Sequence, residues 1–153
     1  MDPAVARDVA QRLHGAQRTR FGDLVVDHLA RVAAAVPVSA QAVAWLHDVR
    51  EGSSVSSFEL QVYGLTLVEL EALGLLTHVD AESYELYVLR IARARGATGR
   101  LARTVKLADL DDHLAHTAIP ADAPPYAWAR RRVAVARARD VGVAHASVAT
   151  RAR

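Results

Sequence analysis

The chain contains no cysteine, so disulfide frameworks, thiolate metal sites, iron–sulfur clusters and cysteine nucleophiles are all excluded. Any metal ion must then be held by histidine and carboxylate. Glycine and proline are scarce, at 8 and 5 of 153 residues. Alanine, leucine, valine and arginine recur instead at spacings of three and four, so the expected fold is almost wholly helical, with no convincing strand. Aromatic residues make up only 5% of the chain and no nucleic-acid motif is present, so nothing points to a nucleic-acid partner. No apolar run reaches the roughly 18 residues that a membrane span needs. The opening MDPAVARDVAQRLHG alternates charge with alanine where a signal peptide would carry an uninterrupted apolar stretch, so a soluble, cytoplasmic protein is expected.

What is present suits a single all-α domain over residues 1–153, a helical bundle of about six to eight helices. A hydrophobic content of 52% is enough to bury a core. The stretch 141–153 is small and polar, and is expected to fray. The net charge of +2 hides an asymmetry. Residues 1–80 carry 6 basic and 10 acidic side chains, a balance of −4, whereas residues 81–153 carry 13 and 7, a balance of +6. Lys106 is the one lysine among 19 basic residues, and the arginines suit bidentate recognition of phosphate as well as a compositional habit of alanine- and arginine-rich chains.

The periodicity predicts a first helix from about Ala4 to Arg20 and a second from Leu24 to Val36, stopped by Pro37. Ser39 is read as the N-cap of a third, with Ala42, Trp45, Leu46 and Val49 on its buried stripe. EGSSVSS reads as a loop. Two capping boxes follow, Ser56-x-x-Glu59 and Thr66-x-x-Glu69, each starting a helix. Asp80 is read as the cap of the next, with Tyr84, Tyr87, Val88 and Ile91 on one face and Gly96 closing it. LARTVKLADLDDHLAH is again helical, and a loop holding Pro120, Pro124 and Pro125 precedes a last helix.

The candidate chemistry lies on His28, the dipeptide His47-Asp48 and Asp109. A His-Asp dipeptide is expected by chance roughly half a time in a chain with 7 histidines and 11 aspartates, so its setting must carry the argument. The pair ends a helix whose preceding residues are apolar, and Asp109 follows Val105, Leu107 and Ala108. A carboxylate beside a buried stripe is costly unless paired or metal-bound. Two imidazoles and two carboxylates from three helices would bind a hard or borderline divalent ion and leave positions open for water.

The stretches HGAQRTRFGDLVVDHLARVAAAV, AVAWLHDVREGS, Ser83-Tyr84-Glu85 and above all ARTVKLADLDDHL resemble the HD-domain metal-dependent phosphohydrolases, most closely their alarmone hydrolases, from about His14 to about Arg137. The resemblance implies His28, His47, Asp48 and Asp109 as metal ligands, one divalent ion, commonly manganese, and removal of the 3′-pyrophosphate from guanosine tetra- or pentaphosphate. It implies Glu51, with Asp48, in activating or orienting the attacking water. Arg18, Arg20, Arg90, Lys106, His113 and Arg130 are the candidate contacts to an anionic nucleotide. Two positions depart from the alarmone pattern: Gly52 stands where an acid follows Glu51, and His113 where an asparagine contacts the nucleotide. Three alternatives therefore stay open: a phosphatase for another nucleotide or phosphorylated metabolite, a weakened domain that binds nucleotide and regulates, and, last, a di-iron oxidase. A homo-oligomeric state is left open.

Overall fold

A computed structural model describes residues 1–19, 22–116 and 123–151, with backbone alone at Gly52, Ala123 and 141–151. Among the described residues the fold is all-α. The helices are α1 (Pro3–His14), α2 (Val25–Ala34), α3 (Val38–Leu46), α4 (Val49–Gly52), α5 (Ser57–Val62), α6 (Leu67–Leu76), α7 (Tyr84–Arg93), α8 (Gly96–His116) and α9 (Ala123–Arg151), α4 being a single turn. No described helix is long and apolar enough to cross a membrane.

Helix α8 is the axis of the bundle, packing against α2, α3, α6, α7 and α9. Its residues from Val105 to Leu110 are all buried. A helix enclosed on every side must neutralise whatever charge it carries. Arg103, 1% exposed, does so by gripping Asp140 of α9 at 2.7–2.9 Å while its Nη1 donates to the Ile91 and Ala94 carbonyls. Lys106 and Asp109 answer one another along the same helix.

Both capping boxes form as the sequence predicts: Ser56 accepts from the Glu59 amide, Thr66 from the Glu69 amide, and each glutamate reaches back to its cap. Other boundaries move. Helix α1 stops at His14 instead of Arg20, because the Val25 amide donates to Gln17 O and an isolated bridge joins Arg18 to Leu24, which turns the chain back at Gly22 (φ 94°). The N-cap of α3 is Pro37, with Ser39 inside the helix, and that of α7 is Ser83, whose hydroxyl accepts from the Leu86 amide, not Asp80. Gly96 opens α8 instead of closing α7. Part of EGSSVSS is the turn α4. Pro124 and Pro125 lie in the first turn of α9, where a missing N–H costs nothing. Pro120 lies outside the described residues. The α9 backbone continues as helix to Arg151, across most of the stretch expected to fray.

Candidate metal centre

Three elements deliver the cluster. His28 sits in the first turn of α2, on the stripe that buries Leu29 and Val32. His47 caps the end of α3, and the backbone relaxes to ψ −1° at Asp48 before α4 begins. Helix α8 presents Lys106, Asp109, Asp112 and His113, residues three and four apart that share one face.

These side chains meet. The Nε2 atoms of His28 and His47 are 3.3 Å apart, and Asp109 Oδ1 lies 3.3 Å from the first and 3.6 Å from the second. Asp48 Oδ1 is 3.2 Å from His47 Nε2, and its other oxygen is 4.0 Å from His28 Nε2. His113 Nε2 stands 3.1 Å from Asp109 Oδ1. The donors form two groups that share His28: His28, His47 and Asp48, and His28, Asp109 and His113, the ligand atoms of each lying within 4.8 Å of one another.

The surrounding hydrogen bonds show what such a centre is built to receive. His47 Nδ1 is 2.7 Å from the Ala44 carbonyl, which can only accept, so Nδ1 carries the hydrogen and Nε2 faces inward. His28 Nδ1 is 2.7 Å from Asp112 Oδ2, and Asp112 is held as a carboxylate by Arg31, at 2.6 and 3.0 Å. Both imidazoles are thus oriented from behind by an acceptor, as histidines that bind a metal are. The inward atoms, two Nε2 lone pairs and carboxylate oxygens, are all acceptors. Only protons or a cation can satisfy them together, and the residues present fit a divalent ion.

The protonation energetics agree. Burial disfavours a charge on His47, yet Asp48 and Asp109 outweigh it and raise its pKa from 6.5 to about 9. His28 is also raised: burial opposes, but the Asp109 hydrogen bond prevails. For Asp109 burial would raise the pKa, whereas the Lys106 charge and the three imidazoles hold it well below the ordinary carboxylate range. The centre attracts positive charge.

Of the other candidates, Glu51 lies beside the cluster. Its Oε1 accepts from the His78 amide at 2.6 Å, and its carboxyl is raised above the ordinary range, first by burial and then by the Asp48 charge. Lys106 and Arg90, expected to face an anionic substrate, are engaged within the fold. Lys106 Nζ donates to Asp109 Oδ2 at 2.7 Å and lies over the Tyr87 ring. Arg90 spans both Glu82 oxygens and donates to the Gly74, Leu75 and Thr77 carbonyls, satisfying the open end of α6. We expect Arg90→Ala to cost about 1–3 kcal/mol in urea unfolding while nucleotide affinity stays unchanged; lost nucleotide affinity with intact stability would return Arg90 to the site. Arg130 pairs with Asp111 on the surface, and Arg18 Nη1 donates to the Gly22 carbonyl at 2.6 Å. Arg20 lies outside the described residues.

Sequence reasoning missed Asp112, Arg31 and Tyr126. Asp112 follows Asp109 by three residues, a spacing that already places both on one face. Tyr126, from α9, stacks on His113 with ring centroids 4.7 Å apart and an interplanar angle of 11°. The buried Tyr84 hydroxyl has no hydrogen-bond partner among the described residues. A cavity of about 240 Å³ opens beside the cluster, lined by Thr19, Asp23, His28, Arg31, Asp112, His113 and His116. No family model matches the chain, and no curated protein matches it.

Proposed function

We propose that the protein is a divalent-ion-dependent phosphohydrolase acting on a nucleotide-like substrate, with removal of the 3′-pyrophosphate of guanosine tetra- or pentaphosphate as the leading reaction. The observation that carries this reading is the convergence of His28, His47, Asp48 and Asp109 with both imidazoles braced from behind. The resemblance of ARTVKLADLDDHL to the alarmone hydrolases supports the substrate class, and it implies manganese as the ion. Such an ion lowers the pKa of a bound water towards neutrality and polarises a phosphoryl oxygen.

The chain's own groups divide the remaining work. His28, His47, Asp48 and Asp109 hold the ion. Asp112 and the Ala44 carbonyl fix the imidazole tautomers, and Lys106 keeps Asp109 ionised. Glu51 Oε1 accepts from the His78 amide, and a carboxyl raised above the ordinary range by burial is suited to accept a proton from water. The cavity bordered by His28, His113 and Arg31 gives the substrate access to the cluster.

A second reading, a domain that binds nucleotide and regulates, is favoured by Gly52 and by the engagement of Arg90 and Lys106 within the fold. One experiment separates the readings. The purified protein is incubated with Mn2+ and a nucleotide panel, and pyrophosphate and orthophosphate are measured separately. Pyrophosphate release from guanosine tetraphosphate supports the leading reaction. Orthophosphate alone moves the assignment to another nucleotide or metabolite phosphatase. A ligand-dependent rise in Tm with no turnover favours the regulatory reading.

A further inference from the structure

We infer that the cleft between α7 and α9 is a second anion site, separate from the metal centre, that takes an oligophosphate group the size of pyrophosphate.

Two helical stripes build it. Leu89, Ala92 and Arg93 stand at i, i+3 and i+4 on α7, and Arg132, Val135, Ala136 and Arg139 at i, i+3, i+4 and i+7 on α9. Each set therefore shares one face of its helix, and the packing of α7 on α9 brings both to a common cleft of about 240 Å³. The apolar members supply its walls, and three guanidinium groups border it. No residue that lines it is acidic, and none belongs to the metal centre or to the cavity beside that centre.

Nothing among the described residues neutralises these cations. Arg93, Arg132 and Arg139 have no ion-pair or hydrogen-bond partner there. Elsewhere the bundle answers its arginines: Arg31 holds Asp112, Arg90 holds Glu82, Arg103 holds Asp140 and Arg130 holds Asp111. Asp140 adjoins Arg139 and is the one acid of α9, yet the buried Arg103 takes both of its oxygens. Glu85, the one acid of α7, lies two turns before Arg93 and outside the cleft. Like charges gathered at one cleft repel one another, and a bound anion relieves that repulsion.

The residue type selects the anion. The planar fork of a guanidinium matches phosphoryl oxygens bidentately, and three forks offer more donors than one phosphoryl group accepts. Sites that enclose a whole small-molecule ligand measure roughly 300–1,000 Å³. The smaller cleft suits the oligophosphate alone, either free pyrophosphate or the tail of a nucleotide whose nucleoside stays outside.

The test uses the full chain stripped of metal and titrated at low ionic strength with inorganic pyrophosphate and, separately, adenosine diphosphate. Binding is read by calorimetry, by Tm and by the arginine Nε–Hε resonances of the 15N-labelled protein. Pyrophosphate is expected to bind the unaltered protein, raise its Tm and shift three arginine resonances. Arg132→Gln with Arg139→Gln should weaken binding at least about tenfold and remove the rise in Tm. Arg131→Gln with Arg137→Gln takes the same charge from exposed positions of α9 outside the cleft, and should weaken binding less than about twofold. All four positions are exposed, so the substitutions are compatible with folding, and circular dichroism verifies this. Equal affinity for the two ligands supports a site for the free group; tighter binding of adenosine diphosphate supports a site for a nucleotide's tail. Equal weakening in the two double variants would reveal diffuse attraction to a basic surface and overturn the site. So would pyrophosphate binding that is absent from the unaltered protein or undiminished in the cleft variant, and neither result bears on the metal centre.

Discussion

Asp109→Asn is expected to lower stability by about 3–5 kcal/mol, abolish stoichiometric divalent-ion binding and reduce the proposed phosphohydrolysis at least about a thousandfold. The substitution keeps the shape and removes the charge. Asp109 is 2% exposed and is the carboxylate on which Lys106 Nζ, His28, His47 and His113 all converge, so its neutralisation leaves a buried ammonium group without a counter-ion. The stability and binding effects have separate origins, and a second substitution divides them. Adding Lys106→Met removes the stranded cation and is expected to recover most of the lost stability, because replacing both partners of a buried pair costs far less than breaking it. Metal content and turnover should stay lost in the double variant. Urea unfolding, metal analysis and product release are measured on the same preparations. If Lys106→Met restored ion binding, Asp109 would be a structural partner of the lysine and not a ligand; if it restored no stability, their contact would not be what the single substitution breaks.

The residues of the centre differ in how far the sequence exposes them. His28, His47, Asp48 and Asp109 stand beside apolar helical stripes, and that contrast between charge and surroundings is readable in one dimension. The capping boxes at Ser56 and Thr66 are readable for the same reason, since all their partners lie within three residues. Asp112 shares a helix face with Asp109, but its role is not readable in the sequence, because its partners His28 and Arg31 lie more than 80 positions earlier and only the packing of α2 on α8 creates the pairing. Tyr126 is hidden similarly, its stack on His113 requiring α9 to return along α8. Arg90 and Lys106 show the converse. Their charge is plain in the sequence, but carbonyls at the end of α6 and the Asp109 carboxylate claim it. Where a helix starts at one of several capable residues, such as Asp80 or Ser83, local chemistry does not choose, and tertiary packing does.

The metal-free protein is expected to lose stability as pH rises from 6.5 to about 9, and a saturating divalent ion should abolish that loss. The sign follows from His47. Its ordinary pKa of 6.5 is raised to about 9 in the fold, because Asp48 and Asp109 outweigh the effect of burial. Between these values the folded state holds a proton that the unfolded chain has released. The stabilisation is therefore complete below pH 6.5 and disappears as pH passes through about 9; taken alone it amounts to about 3 kcal/mol. His28, also raised, acts in the same direction. Asp109, held well below the carboxylate range, acts in the opposite sense, its contribution being lost only as the solution becomes strongly acidic. A divalent ion replaces the protons in the ring, so its apparent affinity should climb over the same window, by up to tenfold per pH unit for each proton displaced. Thermal unfolding from pH 6 to 9.5, with chelator and then with excess Co2+, checks both halves. His47→Gln should remove most of the decline in the chelated protein. A decline that survives both that substitution and the ion would place its origin elsewhere in the fold, and the ring of acceptors would then bind neither the protons nor the cation.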